Sequence, residues 1–174
     1  MLKGASFRLR TVRESDLHAY QAHLADISNR GDYYPQRISS EHDVRQTYEK
    51  DGYWLQDSGI LLIVNEADTI IGHIGFFKPV AFWNAYEIHY ILFDQNQRGR
   101  GIVSEATQLL VRYLFETRHV NRIQLEIHPD NLASRRVAEK CGFTHESTAR
   151  GVWFHRGQHM DFEIWVRFRD DVAE

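Results

Sequence analysis

Between an apolar segment and an amphipathic one lies Gln97-Arg98-Gly99-Arg100-Gly101-Ile102-Val103-Ser104-Glu105, a short arginine- and glycine-rich turn. The segment before it, Tyr86 to Phe93, has the β-branched and aromatic content of a strand. After it, Ile102, Ala106, Leu109, Leu110, Tyr113 and Leu114 recur at helix spacing. A strand entering a glycine turn and then a helix gathers unpaired backbone N–H groups and the positive end of the helix dipole around one point. Phosphate binds at such points. Gly99 and Gly101 allow close approach and positive φ, and Arg98 and Arg100 add forked donors matched to phosphate oxygens. A plain turn is the structural alternative. There is no G-x-x-x-x-G-K-[ST], and no G-x-G-x-x-G followed by a suitably placed acid, which disfavours a nucleotide triphosphatase and a Rossmann oxidoreductase.

Arg98-Gly99-Arg100-Gly101-Ile102-Val103 resembles the R/Q-x-x-G-x-G/A signature of the GNAT superfamily of acyl-CoA-dependent N-acetyltransferases. Two further blocks agree in order. Tyr86-Glu87-Ile88-His89-Tyr90-Ile91-Leu92 resembles the E-I-G-Y-W-L strand of the RimJ/RimL-like branch, the ribosomal-protein N-terminal acetyltransferases and their relatives. Asn131 to Phe143 resembles that branch's N-x-x-S…E-K-x-G-F helix. The likeness runs from Phe7 to about Phe168. It implies the acyl-CoA N-acyltransferase fold, with acetyl-CoA as co-substrate and an amine as acceptor.

Composition narrows the setting. At 174 residues the chain is expected to form a single N-acetyltransferase domain over 1–174, long enough to bury roughly two-thirds of its unfolded surface. A formal net charge of −3 gives no general pull toward nucleic acid or an anionic membrane. No apolar run reaches membrane-span length and the N-terminus lacks a signal-peptide core. The single Cys141 makes no internal disulfide, so the cytoplasm is the expected location. The ten His residues are scattered without a ligand cluster, and no metal is expected.

Read in order, Phe7–Val12 is a first strand, and Leu17, Tyr20, Leu24 and Ile27 give a helix entered near Ser15-Asp16 with its carboxylates at the positive end. Ser40 caps a second helix through Val44 and Tyr48. In the family these helices cover the acceptor side of the cleft, so Tyr33 and Tyr34 either contact acceptor or pack the loop down. Ile60–Val64 is a strand buried on both faces. Thr69–Lys78 returns, with Gly72 and Gly75 weakening it or marking close approach. Phe82 and Trp83 sit in a loop that faces either substrate or a second copy in a homodimer. Ile123–Ile127 is a strand, Asn131–Cys141 a helix ended by Gly142, and two long strands close a hairpin about Arg156-Gly157. The expected order is βααβββαβαββ: α/β, with a single mixed, twisted central sheet flanked by helices.

Acetyl transfer from a thioester to an amine requires an anchored cofactor, a polarised carbonyl, an unprotonated amine and a stabilised thiolate. The resemblance assigns anchoring to Arg98, Gly99, Arg100, Gly101, Ile102, Val103 and Ser104. It assigns backbone pairing with the carbonyl and pantetheine to Ile91, Leu92 and Phe93, where the strand splays from its neighbour, and pantetheine bonding to Asn131. Many superfamily members place an acidic Tyr where this chain has Ala138; the branch's substitute is Ser134. Asn131 and Ser134 also suit a helix cap. Val103 stands where the motif has Gly or Ala, and a branched side chain there would crowd the pyrophosphate. Glu87 and His89 share one strand face and are the candidate bases; the alternative is a polar pair satisfied by its neighbours. The branch has Gly at position 89. His155 and Asp161 are further candidates.

These readings point to an acetyl-CoA-dependent N-acetyltransferase acting by direct attack in a ternary complex, most directly on a protein or peptide N-terminal amine. The alternatives are a small-amine acetyltransferase (antibiotic, amino acid or polyamine) and a non-catalytic CoA-binding module.

Overall fold

The structure, a computed structural model, describes residues 1–172; residues 173 and 174, the end of the expected domain, lie outside the described residues. Its strands are β1 (Leu2–Lys3), β2 (Arg8–Thr11), β3 (Ser58–Val64), β4 (Ile70–Phe77), β5 (Ala85–Leu92), β6 (Arg122–Ile127), β7 (Thr144–His155) and β8 (Gln158–Phe168). The helices are α1 (Leu17–Ala25), α2 (Glu41–Asp51), α3 (Ile102–Thr117) and α4 (Leu132–Lys140). Eight strands form one mixed sheet in the order β1-β2-β3-β4-β5-β6-β8-β7. Beyond the sequence expectation there is β1, which pairs Leu2 with Leu9. Among the described residues no helix is long and apolar enough to cross a membrane.

The helices divide between the two sheet faces. The apolar stripe of α3 buries Ile102, Ala106, Leu110, Val111 and Leu114 against Ile63, Ile88, Leu92, Ile123 and Leu125. On the other face Leu17 and Tyr20 of α1 and Val44 of α2 pack on Leu62, Val64, Ile70 and Ile91. Strand β3 serves both cores, because successive residues point to opposite sides. That explains its unbroken apolar run.

Local chemistry sets the ends of the elements. Ser40 Oγ accepts from the Asp43 N–H at 3.1 Å and begins α2. At the β7–β8 turn Arg156 (φ 49°) and Gly157 (φ 82°) both take positive φ, the two-residue turn that matches strand twist. Asp16 stands at the N-cap of α1, as expected, and its carboxylate also takes a fork from buried Arg10, at 2.6 and 2.9 Å. Arg10 also reaches Asp68 at 3.0 Å, tying β2 to the β3–β4 turn.

One feature of the sheet positions everything that follows. All neighbouring strands are antiparallel except β5 and β6, whose parallel ladder stops after Ala85↔Arg122, Tyr86↔Ile123 and Glu87↔Gln124. Beyond that rung β5 stays on β4 as far as Gly72↔Leu92, while β6 stays on β8 as far as Ile127↔Glu163. The sheet therefore opens into a split from Glu87 onward.

Candidate active site

The glycine turn lies at the wide end of the split. Gly99 (φ +75°) and Gly101 (φ +79°) are both left-handed, and a Cβ on either would meet nothing within 4 Å. Here the glycines answer a backbone need and leave open space outside. Gly101 is the N-cap of α3 and provides no side-chain cap. Its carbonyl accepts from the Glu105 N–H at 3.0 Å, so the N–H groups of Ile102, Val103 and Ser104 have no partner within the helix. Arg98 and Arg100 are exposed beside them, with Arg100 Nη1 donating to Gln97 Oε1 at 3.3 Å. Val103 does not crowd this space, because its side chain packs inward against the α3 core. Ile102 is buried.

Of the expected backbone donors and acceptors, the strand presents only part to the split. The Phe93 N–H donates to Ile71 O at 2.9 Å, and Ile91 O lies 2.3 Å from where a Gly72 Cβ would stand. Both residues thus turn their main chain toward β4, and their side chains join the α1–α2 core. By alternation Leu92, with Tyr90 and Ile88, turns its backbone groups into the split. Gly72 and Gly75 mark close approach, since a Cβ on either would fall within 2.6 Å of β5.

On the α3–α4 side of the split stand Asn131, Ser134 and Tyr90. Asn131 is the N-cap of α4, its Oδ1 accepting from the Ser134 N–H at 3.1 Å. The capping expectation therefore holds for Asn131, and the Ser134 hydroxyl is left for another partner. That partner is Tyr90 of β5, within side-chain hydrogen-bond reach. Burial raises the Tyr90 phenol well above its ordinary range, and the Ser134 bond offsets part of this. Sequence reasoning missed Tyr90. Strand alternation would have placed it on the face opposite Glu87 and His89.

The α1–α2 side carries the candidate bases. Glu87 is buried at the last rung of the β5–β6 ladder. Its carboxyl is pushed up to about 7, first by burial and then by Glu126 of β6, which lies within hydrogen-bond reach. Gln124 Nε2 donates to Glu87 Oε2 at 3.0 Å. Arg122 donates to Gln124 Oε1 at 3.3 and 3.4 Å, which fixes the amide orientation. His89 points the same way and is half-buried, and desolvation lowers its imidazole to about 4. Such a ring stays neutral near pH 7 and has little affinity for a proton. Of the two, Glu87 is the better proton acceptor.

Around them the aromatic residues separate into two roles. Tyr34 is pinned in place, its hydroxyl 3.0 Å from Nε2 of fully buried His73, whose Nδ1 lies 2.9 Å from Tyr20 Oη. Tyr33 stacks on His128 with centroids 4.8 Å apart. His155 stacks on Trp153 at 4.1 Å, and Asp161 accepts from the Gly151 N–H at 2.8 Å across the β7 irregularity. Both therefore have structural roles in the hairpin. His89 also walls a cavity of about 170 Å³ with Thr47, Asp51, Tyr53, Ile60 and Phe77. A larger cavity, about 380 Å³ and bordered by Gln108, Arg112, Lys140 and Arg167, includes neither the glycine turn nor Glu87, His89 or Ser134.

The arrangement defines a class: a split sheet with an anion-ready helix start at its mouth, a hydroxyl pair on one side and a carboxyl on the other. The family model described as the acetyltransferase (GNAT) domain matches residues 6–144, and the chain belongs to that family of acetyl-CoA-dependent N-acetyltransferases. It is 28% identical over 139 residues to the ribosomal-protein-serine acetyltransferase of Escherichia coli (strain K12), covering 79% of this chain and 76% of that protein. Two solved structures share the fold. RimL, the ribosomal L7/L12 alpha-N-protein acetyltransferase in complex with coenzyme A, has a TM-score of 0.82 at 24% identity, with 97% of each chain covered. Spermidine N-acetyltransferase from Vibrio cholerae in complex with CoA and spermine has a TM-score of 0.84 at 16% identity, covering 98% of this chain and all of that one (100%).

Proposed function

We propose that the chain, as one domain over residues 1–174, acetylates a peptide or protein N-terminal amine by direct attack in a ternary complex with acetyl-CoA. The observation that carries the reading is the placement of Glu87. It stands at the closed end of the split, on the α1–α2 side, with a carboxyl pushed up to about 7. A group poised there takes a proton from an arriving α-ammonium near neutral pH. Likeness to the ribosomal-protein-serine acetyltransferase supports the choice of acceptor.

When bound, acetyl-CoA supplies an activated acyl group and a thiol leaving group. The chain's own residues are assigned as follows. The N–H groups of Ile102, Val103 and Ser104, with Arg98 and Arg100, hold the pyrophosphate, and Gly99 and Gly101 leave room for it. Backbone groups of Leu92 and its alternating neighbours orient the pantetheine arm along β5, and Asn131 bonds it while capping α4. Glu87, held by Gln124, accepts the amine proton. The Ser134 hydroxyl, backed by the Tyr90 phenol, donates to the departing thiolate on the opposite side of the split, and solvent replaces the proton it gives up. His89 shapes the acceptor pocket rather than moving a proton.

A second reading, a small-amine acceptor, is favoured by the modest size of the cavity beside His89, about 170 Å³. The deciding experiment is a thiol-release assay with acetyl-CoA and a panel of acceptors: peptides with free termini, amino acids and polyamines. Turnover confined to small amines would replace the peptide reading with this one.

A further inference from the structure

The side chains on the α1–α2 face of the closed end of the split form a continuous polar row. Glu146 of β7 takes a fork from Arg122 at 2.5 and 2.7 Å. Arg122 holds Gln124 Oε1, and Gln124 donates to Glu87. The next residue on β6 facing the same way is Glu126. It lies just past the final rung, and its carboxyl is within hydrogen-bond reach of that of Glu87. The cation in the row is already matched by Glu146, and Gln124 is neutral. Among the described residues, neither carboxyl of the Glu87–Glu126 pair has a cation to offset its charge.

We propose that Glu87 and Glu126 act as one carboxyl pair that shares a single proton, and that this pair, rather than Glu87 alone, receives the proton of the acceptor amine. The inference rests on the assignment of Glu87 as the base. Two carboxylates within hydrogen-bond reach, one of them buried, do not both stay ionised at low cost. The proton shared between them comes off last and titrates with the pair, not with either residue. Doubly ionised, the pair draws in an ammonium group. One proton then passes from R–NH₃⁺ to the pair, leaving R–NH₂ with a free lone pair and a singly charged, hydrogen-bonded carboxyl–carboxylate. The nitrogen lone pair forms the new C–N bond as the C–S bond breaks. The nitrogen then sheds its second proton to solvent, the departing thiolate takes up one proton on the Ser134 side, and the pair later releases its own proton to solvent. Glu126 is a positioning residue in this scheme, because it acts through Glu87.

Matching of proton affinities shows why a pair suits this acceptor. An α-ammonium titrates at about 7.7–8.0, so transfer to an ordinary carboxylate at about 4.3 is unfavourable by a few thousandfold. Transfer to a pair whose upper step is near 7 is unfavourable by only about tenfold. The other groups facing the pair are few. His89 of β5 is half-buried and its imidazole is lowered to about 4, so it is neutral near pH 7, and His128 lies under Tyr33. Arg122 and Glu146 offset one another, and Asp51 of α2 borders the cavity on the His89 side. The neighbours supplied by β4 and β8, Phe77 and Ile164, do not titrate.

The test compares wild type with Glu126→Gln, Glu126→Asp and Glu87→Gln. Glutamate carboxyls labelled with ¹³C are titrated by NMR in the free enzyme, and the pH dependence of kcat/KM is measured alongside. The Glu87 resonance is assigned by its loss in Glu87→Gln. The expected wild-type result is a two-step titration with an upper step near neutrality. Glu126→Gln should reduce it to one step, moved down by about one pH unit or more, with the acid limb of kcat/KM moving equally; Glu126→Asp should restore two steps. Glu126 reaches solvent, so the amide variant is expected to fold. An unmoved Glu87 titration, or a loss of activity by the same factor at every pH, overturns the proposal. The NMR readout needs no acceptor: coupled titration without turnover of any amine supports the pair and counts against the acceptor reading.

Discussion

A Cβ added to Gly75 of β4 would lie 2.5 Å from His89 Nε2 of β5. The imidazole occupies space that β4 leaves by having no side chain there. The same Cβ would meet Ile60 Cδ1 at 2.6 Å and the backbone oxygen of Gly59 at 2.8 Å. Gly75→Ala should therefore lower stability by about 1–3 kcal/mol, as overpacking does. Adding His89→Ala should recover part of that loss but not all, because the Gly59 contact is backbone. Urea unfolding of the two single variants and the double variant measures both numbers.

At the glycine turn, acetyl-CoA should raise the melting temperature of the wild type, since a ligand that binds only the folded state stabilises it by mass action. Gly101→Glu should abolish the rise by placing bulk and negative charge at the start of α3. Its left-handed φ of +79° makes even Gly101→Ala cost roughly 1 kcal/mol without ligand. Wild-type affinity in Gly101→Glu, measured by titration calorimetry, would refute the loop assignment.

Tyr90 and Ser134 meet across the split, so their contributions should not add. Ser134→Ala and Tyr90→Phe are each expected to lower kcat roughly tenfold or more while leaving acetyl-CoA affinity unchanged. The double variant should be little worse than the weaker single one. An unchanged kcat in Ser134→Ala, with chemistry limiting turnover, would return Ser134 to a helix-capping segment with no proton role.

The turn at Gly99 and Gly101 was legible in the sequence because both glycines answer a local backbone need, and local needs leave compositional marks. Helix α3 was legible for the same reason, through the spacing of Ile102, Ala106 and Leu110. The split was not. It consists of hydrogen bonds that β5 and β6 fail to make after Glu87↔Gln124, and a missing ladder has no residue signature. Whether Ile91 or Leu92 faces it depends on strand phase, fixed by Phe93 bonding to Ile71. Glu126 was invisible because its meeting with Glu87 arises from one parallel pairing, Glu87↔Gln124, across 37 positions, not from any motif. The insertion of β8 between β6 and β7 likewise follows from the hairpin folding back, and its position beside β6 is not written in local preference.

Two carboxyls with opposite shifts predict opposite pH effects on stability. Asp16 is pushed up by burial, but the Arg10 hydrogen bond and the Arg13 N–H outweigh this and hold it below the usual range. Its contribution is present above about pH 4, the unfolded value, and is lost as pH falls through the folded value. Asp16→Asn should cost about 1–3 kcal/mol near neutrality, because buried Arg10 loses its forked partner and keeps only the Asp68 carboxylate, with the difference shrinking in acid. Glu87 is raised to about 7, so its ionisation opposes folding increasingly from about pH 4.3 upward. Glu87→Gln should therefore be more stable than wild type at pH 8, by about 1–3 kcal/mol, and similar to it at pH 4. Melting curves of both variants across that range provide the comparison.

The central claim is that Glu87 at the closed end of the split deprotonates an N-terminal amine for acetyl transfer, and a pair of peptides tests it most directly. Both have one sequence. The first carries a free terminus and an internal arginine; the second has a blocked terminus and a lysine in its place. At neutral pH an α-amine is deprotonated a few hundred times more often than a lysine side chain, given values of about 7.7–8.0 and 10.4. Thiol release with acetyl-CoA should be fast for the first peptide, slow for the second, and largely lost for both in Glu87→Gln. Faster acetylation of the blocked, lysine-bearing peptide, or full activity in Glu87→Gln, would contradict the claim.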